Sequence, residues 1–254
     1  MALERIKKKK VLVIGDTLLD ETYFCKLIGM SLETPTIKTQ EQRKELEEGG
    51  AYNVAKNITH LGAECVFITA IGNDEYSENL LNGGSSNVKV VPVNYDGKNI
   101  VKKRFWIENG GTRYKYLQVN KGSTKELQNL ETDALVLQAI EPYSSFDVIV
   151  ICDYRQGLIT KDLCKKIIQS HPNIEIIGSS QCSGNNSNHI WFKGADLVCM
   201  NSKEFSLFCE TENITEKQST SHLESKICVT EGKKGSTLYE TTKVEIKSDS
   251  FSVN

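Results

Sequence analysis

Residues 11–20 read VLVIGDTLLD, and this stretch decides the fold. Four apolar residues in a row, closed by Gly15 and Asp16, are typical of a strand buried on both faces of a parallel sheet. Runs of the same form follow at residues 66–71, 147–152, 174–177, 197–200 and 227–229. Together these runs predict a mostly parallel sheet.

Helical patterns separate several of these runs. Apolar residues follow one helix face in residues 51–61, and the pattern recurs in residues 125–140. Thr160 is a suitable N-cap for a further helix that carries Leu163, Ile167 and Ile168. Strands that alternate with helices predict a doubly wound α/β fold with right-handed crossovers.

Two segments, residues 22–39 and 87–119, are strand-like but lack intervening helices. In the second, Asn109 is followed by Gly110 and Gly111, which predicts a hairpin turn. These segments are expected to form a small antiparallel sheet over one end of the main sheet. No repeat or long linker divides residues 1–254, so one domain is predicted.

The composition excludes several classes of protein. The chain has 254 residues, a net charge of −2, 25% charged and 39% hydrophobic residues. No nucleic-acid or membrane partner is therefore expected, and the absence of a signal-like N-terminus predicts a cytoplasmic location. Eight cysteines without a C-x-x-C pair indicate reduced thiols rather than a disulfide framework or zinc site.

Polar residues and glycines cluster after the predicted strands, where ligands bind in open α/β sheets. Any one of them alone fits a turn or a helix cap better than a binding site. The set comprises Asp16, Asp20, Gly49, Gly50, Asn53, Asp153, Asn201, Glu204, Thr230 and Gly232.

In this order the motifs resemble the ribokinase (PfkB) family of carbohydrate kinases. Residues 13–20 are similar to the family's opening, residues 48–55 to its Gly-Gly signature, residues 201–204 to its Asn-x-x-Glu motif and residues 229–235 to its nucleotide-binding turn. The resemblance implies a ribokinase-like sheet with a small antiparallel lid, which accounts for the two helix-free segments. It further implies phosphorylation of a sugar or sugar phosphate by ATP.

The resemblance also assigns roles to residues. Sugar binding is expected from Asp16, Asp20, Gly49, Gly50, Asn53 and Asp153. ATP and Mg²⁺ are expected at Gln181, Asn201, Glu204, Thr230 and Gly232, with Glu204 organising the metal's water shell.

Within the family, residues 15–23, 30–35 and 152–157 are similar to heptose-7-phosphate kinases. Where those enzymes carry Asp-Pro-Lys, this chain has Ser179, Ser180 and Gln181, and Gln181 lacks the lysine's charge. Arg104, with Lys102 and Lys103, is a candidate for binding a substrate phosphate; an exposed strand face is the alternative. The resemblance also implies that the lid can mediate a homodimer.

The family's second signature, Asp-Thr-x-Gly-Ala-Gly-Asp, does not occur in residues 1–254. No catalytic residue is therefore assigned in this chain, and the catalytic aspartate is expected beyond Asn254. A truncated chain, one half of a split kinase and a non-catalytic sugar-binding or regulatory relative are the alternatives. A Rossmann dehydrogenase is disfavoured, because no G-x-G-x-x-G follows the first strand.

Overall fold

A computed structural model describes residues 2–82, 88–122, 127, 130–143, 145–240 and 243–249. The strands in chain order are β1 (Lys10–Gly15), β2 (Thr17–Met30), β3 (Ile37–Gly50), β4 (Glu64–Ile71), β5 (Lys89–Asn94), β6 (Val101–Asn109), β7 (Thr112–Lys121), β8 (Val148–Asp153), β9 (Glu175–Ser180), β10 (Leu197–Asn201), β11 (Lys226–Thr230), β12 (Ser236–Glu240) and β13 (Lys243–Ser248). The α-helices are α1 (Ala2–Ile6), α2 (Ala51–His60), α3 (Ser77–Leu81), α4 (Leu130–Ile140), α5 (Lys161–Ser170), α6 (Ser202–Glu212) and α7 (Glu216–Leu223).

The large sheet has the strand order β13-β12-β11-β10-β9-β8-β1-β4-β5. Strands β5 to β11 in that order run parallel, and β12 and β13 are antiparallel. From β1 the sheet grows in one direction through β4 and β5. From β8 it grows in the opposite direction through β9, β10 and β11, so the strand order reverses between β1 and β8. This is the place where an open α/β sheet forms its ligand crevice.

The core lies on both faces of this sheet, as the continuous apolar run of β1 predicts. Leu12 and Ile14 belong to one buried cluster, together with side chains of α4, α5, α6 and α7. Val11 and Val13 face the opposite cluster, which α2 and α3 cover. The predicted α/β fold with a mostly parallel sheet is confirmed.

The lid is a four-stranded sheet of order β3-β2-β6-β7. Its hairpin between β6 and β7 turns through Gly110 (φ 57°) and Gly111 (φ 83°), at the predicted position. Strands β2 and β3 lie within residues 17–50, a longer segment than the predicted 22–39. Strands β6 and β7 lie within residues 101–121, whereas the prediction was 87–119. The long polar strand β3, IKTQEQRKELEEGG, has no alternating pattern because nearly all of its residues are exposed.

Residues 89–94, which were predicted to belong to the lid, form β5 at the edge of the large sheet. They pair in parallel with β4 from Val66 to Ile71. Pro92 is tolerated there because an edge strand has one side without a pairing strand.

Helix α5 is capped as predicted, since Thr160 Oγ1 accepts a hydrogen bond from Leu163 N at 3.1 Å. Of the predicted helix 125–140, residues 125, 126, 128 and 129 lie outside the described residues. None of the described helices combines the length and apolarity needed to cross a membrane. All eight cysteines are free thiols, and most are buried.

Candidate functional site

Asp16 lies at the end of β1, buried and bound to protein atoms. Backbone N–H groups of the loop after β8 donate to its carboxylate: Tyr154 (2.8 Å), Gln156 (3.2 Å) and Leu158 (3.0 Å). Burial and the nearby Asp153 raise the pKa of Asp16 to about 7, against the effect of these three donors. The carboxylate of Asp16 therefore holds the loop after β8 in place. It is not exposed in the way that the predicted sugar-binding role would require.

Asp153, at the end of β8, is likewise buried and fully engaged. Its Oδ1 accepts from Arg155 N, and its Oδ2 accepts from Ser180 Oγ and Asn188 Nδ2, each at 2.8 Å. The backbone carbonyl of Asp153 also accepts from Gln181 N at 2.9 Å. One carboxylate thus ties the loop after β8 to the loop after β9.

Gly49 and Gly50 end β3 and lead directly into α2. Gly50 has φ 64°, and a Cβ on it would lie 2.6 Å from the carbonyl oxygen of Asp16. That carbonyl accepts from Ala51 N at 2.9 Å, which fixes the start of α2 against β1. Asn53 stands exposed in the first turn of α2, beside this junction.

Asp20 and Arg104 meet on one face of the lid, where they form an ion pair. A Cβ on Gly49 would lie 3.2 Å from Asp20 Oδ2, so the glycine leaves room around the carboxylate. The structure therefore brings three of the predicted substrate residues together between the lid and α2. Both charged side chains are about 27–28% exposed, so a ligand can reach them.

Lys103 points away from this cluster. It forms an ion pair with the buried Glu21 at 2.9 Å, as does Lys44 at 2.5 Å, and Tyr76 OH donates to Glu21 at 3.0 Å. Burial alone would raise the pKa of Glu21, but these partners lower it to about 2. This arrangement favours Arg104 over Lys103 as the lid cation near the substrate.

Asn201 and Glu204 form a capping box at the start of α6. Asn201 Oδ1 accepts from Glu204 N at 3.0 Å, and Glu204 Oε2 accepts from Asn201 N at 2.8 Å. Burial raises the pKa of Glu204. The Asn-x-x-Glu motif therefore has a structural function in the helix end, besides the predicted one.

Thr230 is the Cα partner of Asn201 in the parallel pairing of β10 with β11. Gly232 follows with φ 60°, and a Cβ there would meet open space. Gln181 is exposed at the end of β9. The residues predicted to bind nucleotide thus follow three adjacent strands along the same edge as Asp16 and Asp153.

The donor set can be tested for Mg²⁺. The described residues contain no group of three or more His, Cys, Asp or Glu side chains placed to hold a metal. Glu204 uses Oε2 in the helix cap, which leaves Oε1 for a metal-bound water. One carboxylate fits Mg²⁺ that is bound mainly through waters and phosphate oxygens.

Sequence reasoning missed Arg155, which has φ 63° and a buried Nη1, and His189, whose ring is fully buried. Burial and the charge of Arg155 lower the pKa of His189 to about 4. Arg155 lies within the motif of residues 152–157, but the resemblance gave it no role; nothing in the motif pattern marked His189.

Comparison with known proteins gives three results. Residues 8–253 match the sequence profile of the pfkB family carbohydrate kinases. The bifunctional protein HldE of Rhodopseudomonas palustris is 29% identical over 209 residues, which cover 80% of this chain and 41% of that protein. The chain therefore spans about two fifths of the length of the curated relatives that it matches.

Solved structures share the fold. Phosphofructokinase-2 from Escherichia coli, in complex with fructose-6-phosphate, superimposes with a TM-score of 0.71 at 20% identity, covering 97% of this chain and 81% of that one. Ribokinase from Thermotoga maritima has a TM-score of 0.66 at 20% identity, covering 96% and 79%.

Proposed function

The chain belongs to the PfkB family of carbohydrate kinases, and from this premise we propose that it binds a sugar phosphate beneath the lid and Mg²⁺–ATP along the β9–β11 edge, for phosphoryl transfer to a sugar hydroxyl. The observation that supports this most is the position of the predicted residues. They lie along one edge of the sheet, beside the order reversal between β1 and β8, with Asp20 and Arg104 on the adjoining lid.

On the sugar side, Asp20 and Asn53 are the hydrogen-bonding groups. An ionised carboxylate accepts from hydroxyls, and an amide both donates and accepts, so the pair suits a polyol. Arg104 offers a fork of N–H donors for a carboxylate or phosphate, which favours a substrate that already carries phosphate. Heptose 7-phosphate is the proposed substrate, on the resemblance of residues 15–23 and 30–35.

On the nucleotide side, the exposed Gln181, Asn201 and Thr230 line the edge, and Gly232 leaves space for a close approach. Mg²⁺ held through Glu204 and water would neutralise phosphate charge during the transfer. In that transfer the bond between the γ-phosphorus and the bridging oxygen of ADP breaks, and a bond to the sugar oxygen forms while the hydroxyl loses its proton.

The proton acceptor is not assigned to Asp16 or Asp153. Both carboxylates accept hydrogen bonds from protein donors on each oxygen, so neither has a free oxygen directed at a substrate. The expectation that the catalytic aspartate lies outside residues 1–254 stays a prediction, as does the cytoplasmic location.

We also propose a homodimer through the lid. On the lid face opposite Asp20, the edge strand β7 carries three exposed apolar side chains, Tyr114, Leu117 and Val119. Leu46 is exposed on the same face, at the opposite edge of the lid. An exposed apolar patch of this kind marks an association surface.

The test is calorimetric titration of the chain with heptose 7-phosphate and with Mg²⁺–AMP-PNP, alongside Asp20→Asn. We expect the wild-type chain to bind both, and Asp20→Asn to weaken the sugar phosphate about 10-fold or more while leaving AMP-PNP unchanged. Binding is the readout, because AMP-PNP does not transfer its γ-phosphoryl group and no catalytic residue is assigned within residues 1–254. A folded chain that binds neither probe contradicts the proposal.

A further inference from the structure

The loop after β8 carries an arginine that the motifs do not assign. Arg155 follows Asp153 by two residues, and its charge acts on Cys182 and His189 in the loop after β9, which also holds Gln181. Its backbone N donates to Asp153 Oδ1, while Asn188, on the neighbouring loop, donates to Oδ2 of the same carboxylate. Arg155 is therefore fixed at the junction of the two halves of the site.

The backbone around Arg155 is held on both sides. Tyr154 N and Gln156 N both donate to the buried carboxylate of Asp16. Arg155 itself adopts φ 63°, a left-handed conformation that is unfavourable for a residue with a long side chain. Asn213 and Glu224 share this conformation, but they end α6 and α7, where it is common. At Arg155 the fold stabilises a strained backbone outside a helix end, a feature that is common at functional sites.

Among the residues that the structure describes, no carboxylate pairs with the guanidinium of Arg155. Arg155 is half-buried and its Nη1 is sealed from solvent, yet within the described part of the chain this nitrogen has no hydrogen-bond partner and the side chain makes no ion pair. By contrast, Arg43, Arg104 and Arg113 each pair with a carboxylate. Neither Asp16 nor Asp153, the buried carboxylates at the adjacent strand ends, forms an ion pair with Arg155.

A second buried group lies beside it. His189 is fully buried, its Nδ1 is 2.8 Å from Ser187 Oγ, and its Nε2 has no hydrogen-bond partner among the described residues. Its depressed pKa keeps the ring neutral at pH 7, so no second positive charge accompanies the guanidinium. A single cation with an unused donor suits one anionic group.

The geometry points to Arg155 as the residue that binds a phosphoryl group where the sugar and nucleotide halves of the site meet. This inference rests on the proposed kinase function and assigns the charge that Gln181 lacks. Guanidinium matches phosphate because its planar N–H fork bonds two oxygens at once. The phosphoryl group comes either from the nucleotide or from the sugar phosphate.

Calorimetry on the full chain separates these sources, with Mg²⁺–AMP-PNP, heptose 7-phosphate and adenosine as probes. We expect Arg155→Gln to weaken binding of one or both phosphorylated probes about 10- to 100-fold and to leave adenosine unchanged. Loss confined to AMP-PNP assigns the nucleotide phosphate, and loss confined to heptose 7-phosphate assigns the substrate phosphate. The matched control is Arg5→Gln, an exposed arginine on α1 that should alter nothing.

A measurement on the wild-type chain covers the case in which Arg155→Gln does not fold. Phenylglyoxal modifies arginines, and mass spectrometry locates the product. We expect AMP-PNP or heptose 7-phosphate to protect Arg155, and adenosine not to. The inference is overturned, with the proposed function intact, when phosphorylated probes bind but neither protect Arg155 nor respond to its substitution. When the folded wild-type chain binds no phosphorylated probe, both fail.

Discussion

At the scale of single residues, Gly50 and Asp16 form one turn that joins the lid to the main sheet. Gly50 occupies the left-handed region, and its missing side chain lets the Asp16 carbonyl reach Ala51 N. Gly110 has a similar φ of 57° but nothing lies within 4 Å of a Cβ there. A substitution at Gly110 therefore tests only the unfavourable backbone conformation, whereas a substitution at Gly50 also tests the steric clash.

We expect Gly110→Ala to lower the free energy of unfolding by about 1 kcal/mol and Gly50→Ala by roughly 2–4 kcal/mol, because only the second also displaces a backbone oxygen. Urea unfolding followed by circular dichroism measures both. Equal losses would show that the close contact at Gly50 relaxes without cost.

Asp16 should make stability depend on pH. Its folded pKa of about 7 exceeds the ordinary 3.8, so the folded state favours the protonated form. The stabilisation is complete below pH 3.8 and declines as the pH rises towards 7, by at most about 1.4 kcal/mol per pH unit. We expect wild type to lose stability between pH 5 and 7, and Asp16→Asn to be less stable overall but flatter over this range. Parallel pH curves for the two proteins would exclude Asp16 as the cause.

At the scale of elements, the capping box of α6 combines a structural and a functional role in Glu204. A matched box caps α7, where Gln218 Oε1 accepts from Thr215 N at 2.9 Å, away from the strand-end edge. Comparing the two boxes isolates the proposed metal role.

Glu204→Gln keeps an acceptor for Asn201 N but removes the charge. We expect its stability to match wild type, while Mg²⁺-dependent AMP-PNP binding weakens about 10-fold. Glu204→Ala should lose both binding and about 1 kcal/mol of stability, and Gln218→Ala stability alone. Wild-type magnesium dependence in Glu204→Gln would remove this residue from the metal site.

The lid is anchored by Glu21, which joins β2 to Tyr76 near α3 and to Lys44 and Lys103 on the neighbouring lid strands. Glu21→Gln leaves both lysines without their shared acid. We expect β2 and β6 to exchange amide hydrogens faster and stability to fall by on the order of 2 kcal/mol. Glu45→Gln, which removes an exposed partner of Arg43, is the control and should change little.

Low pH should loosen the same anchor. The pKa of Glu21 is held near 2, below its ordinary 4.5, so its stabilisation is present above pH 4.5 and is lost as the pH falls towards 2. Faster exchange of the lid strands at pH 3 than at pH 6, after correction for the intrinsic exchange rate, would agree; unchanged protection would not.

At the scale of the whole molecule, the lid presents two different faces. Asp20 and Arg104 lie on one, and Leu46, Leu117 and Val119 lie on the other. This division allows one sheet to cover a polar ligand and to contact a second copy of the chain.

We expect Leu117→Glu to shift the chain from dimer to monomer in sedimentation experiments, because a buried unpaired charge at an interface is unfavourable. Leu81→Glu, on the similarly exposed Leu81 of α3, should leave the mass unchanged. A monomeric wild-type chain at micromolar concentration would contradict the proposed dimer.

The sequence by itself determined the parallel sheet, the hairpin and the order of motifs along the strand ends. These are local properties: a doubly buried strand such as β1 needs an unbroken apolar run, and a hairpin such as that at Asn109–Gly111 needs glycine's left-handed conformation. The ends of the lid strands were harder to predict from the sequence. Strand β3 is exposed on both faces, so its residues do not alternate between polar and apolar.

Only the tertiary structure decided which polar residues face a ligand. Asp16, Asp20 and Asp153 look alike in the sequence. Asp16, however, accepts from backbone N–H groups of a loop more than 100 residues away, Asp153 accepts from side chains of β9 and the loop after it, and Asp20 pairs with Arg104 on the lid. The importance of Arg155 became visible only in the fold, where its buried Nη1 has no hydrogen-bond partner among the described residues. A hydrogen bond is a relation between two groups, so the role of a polar side chain depends on partners that the folded chain brings to it.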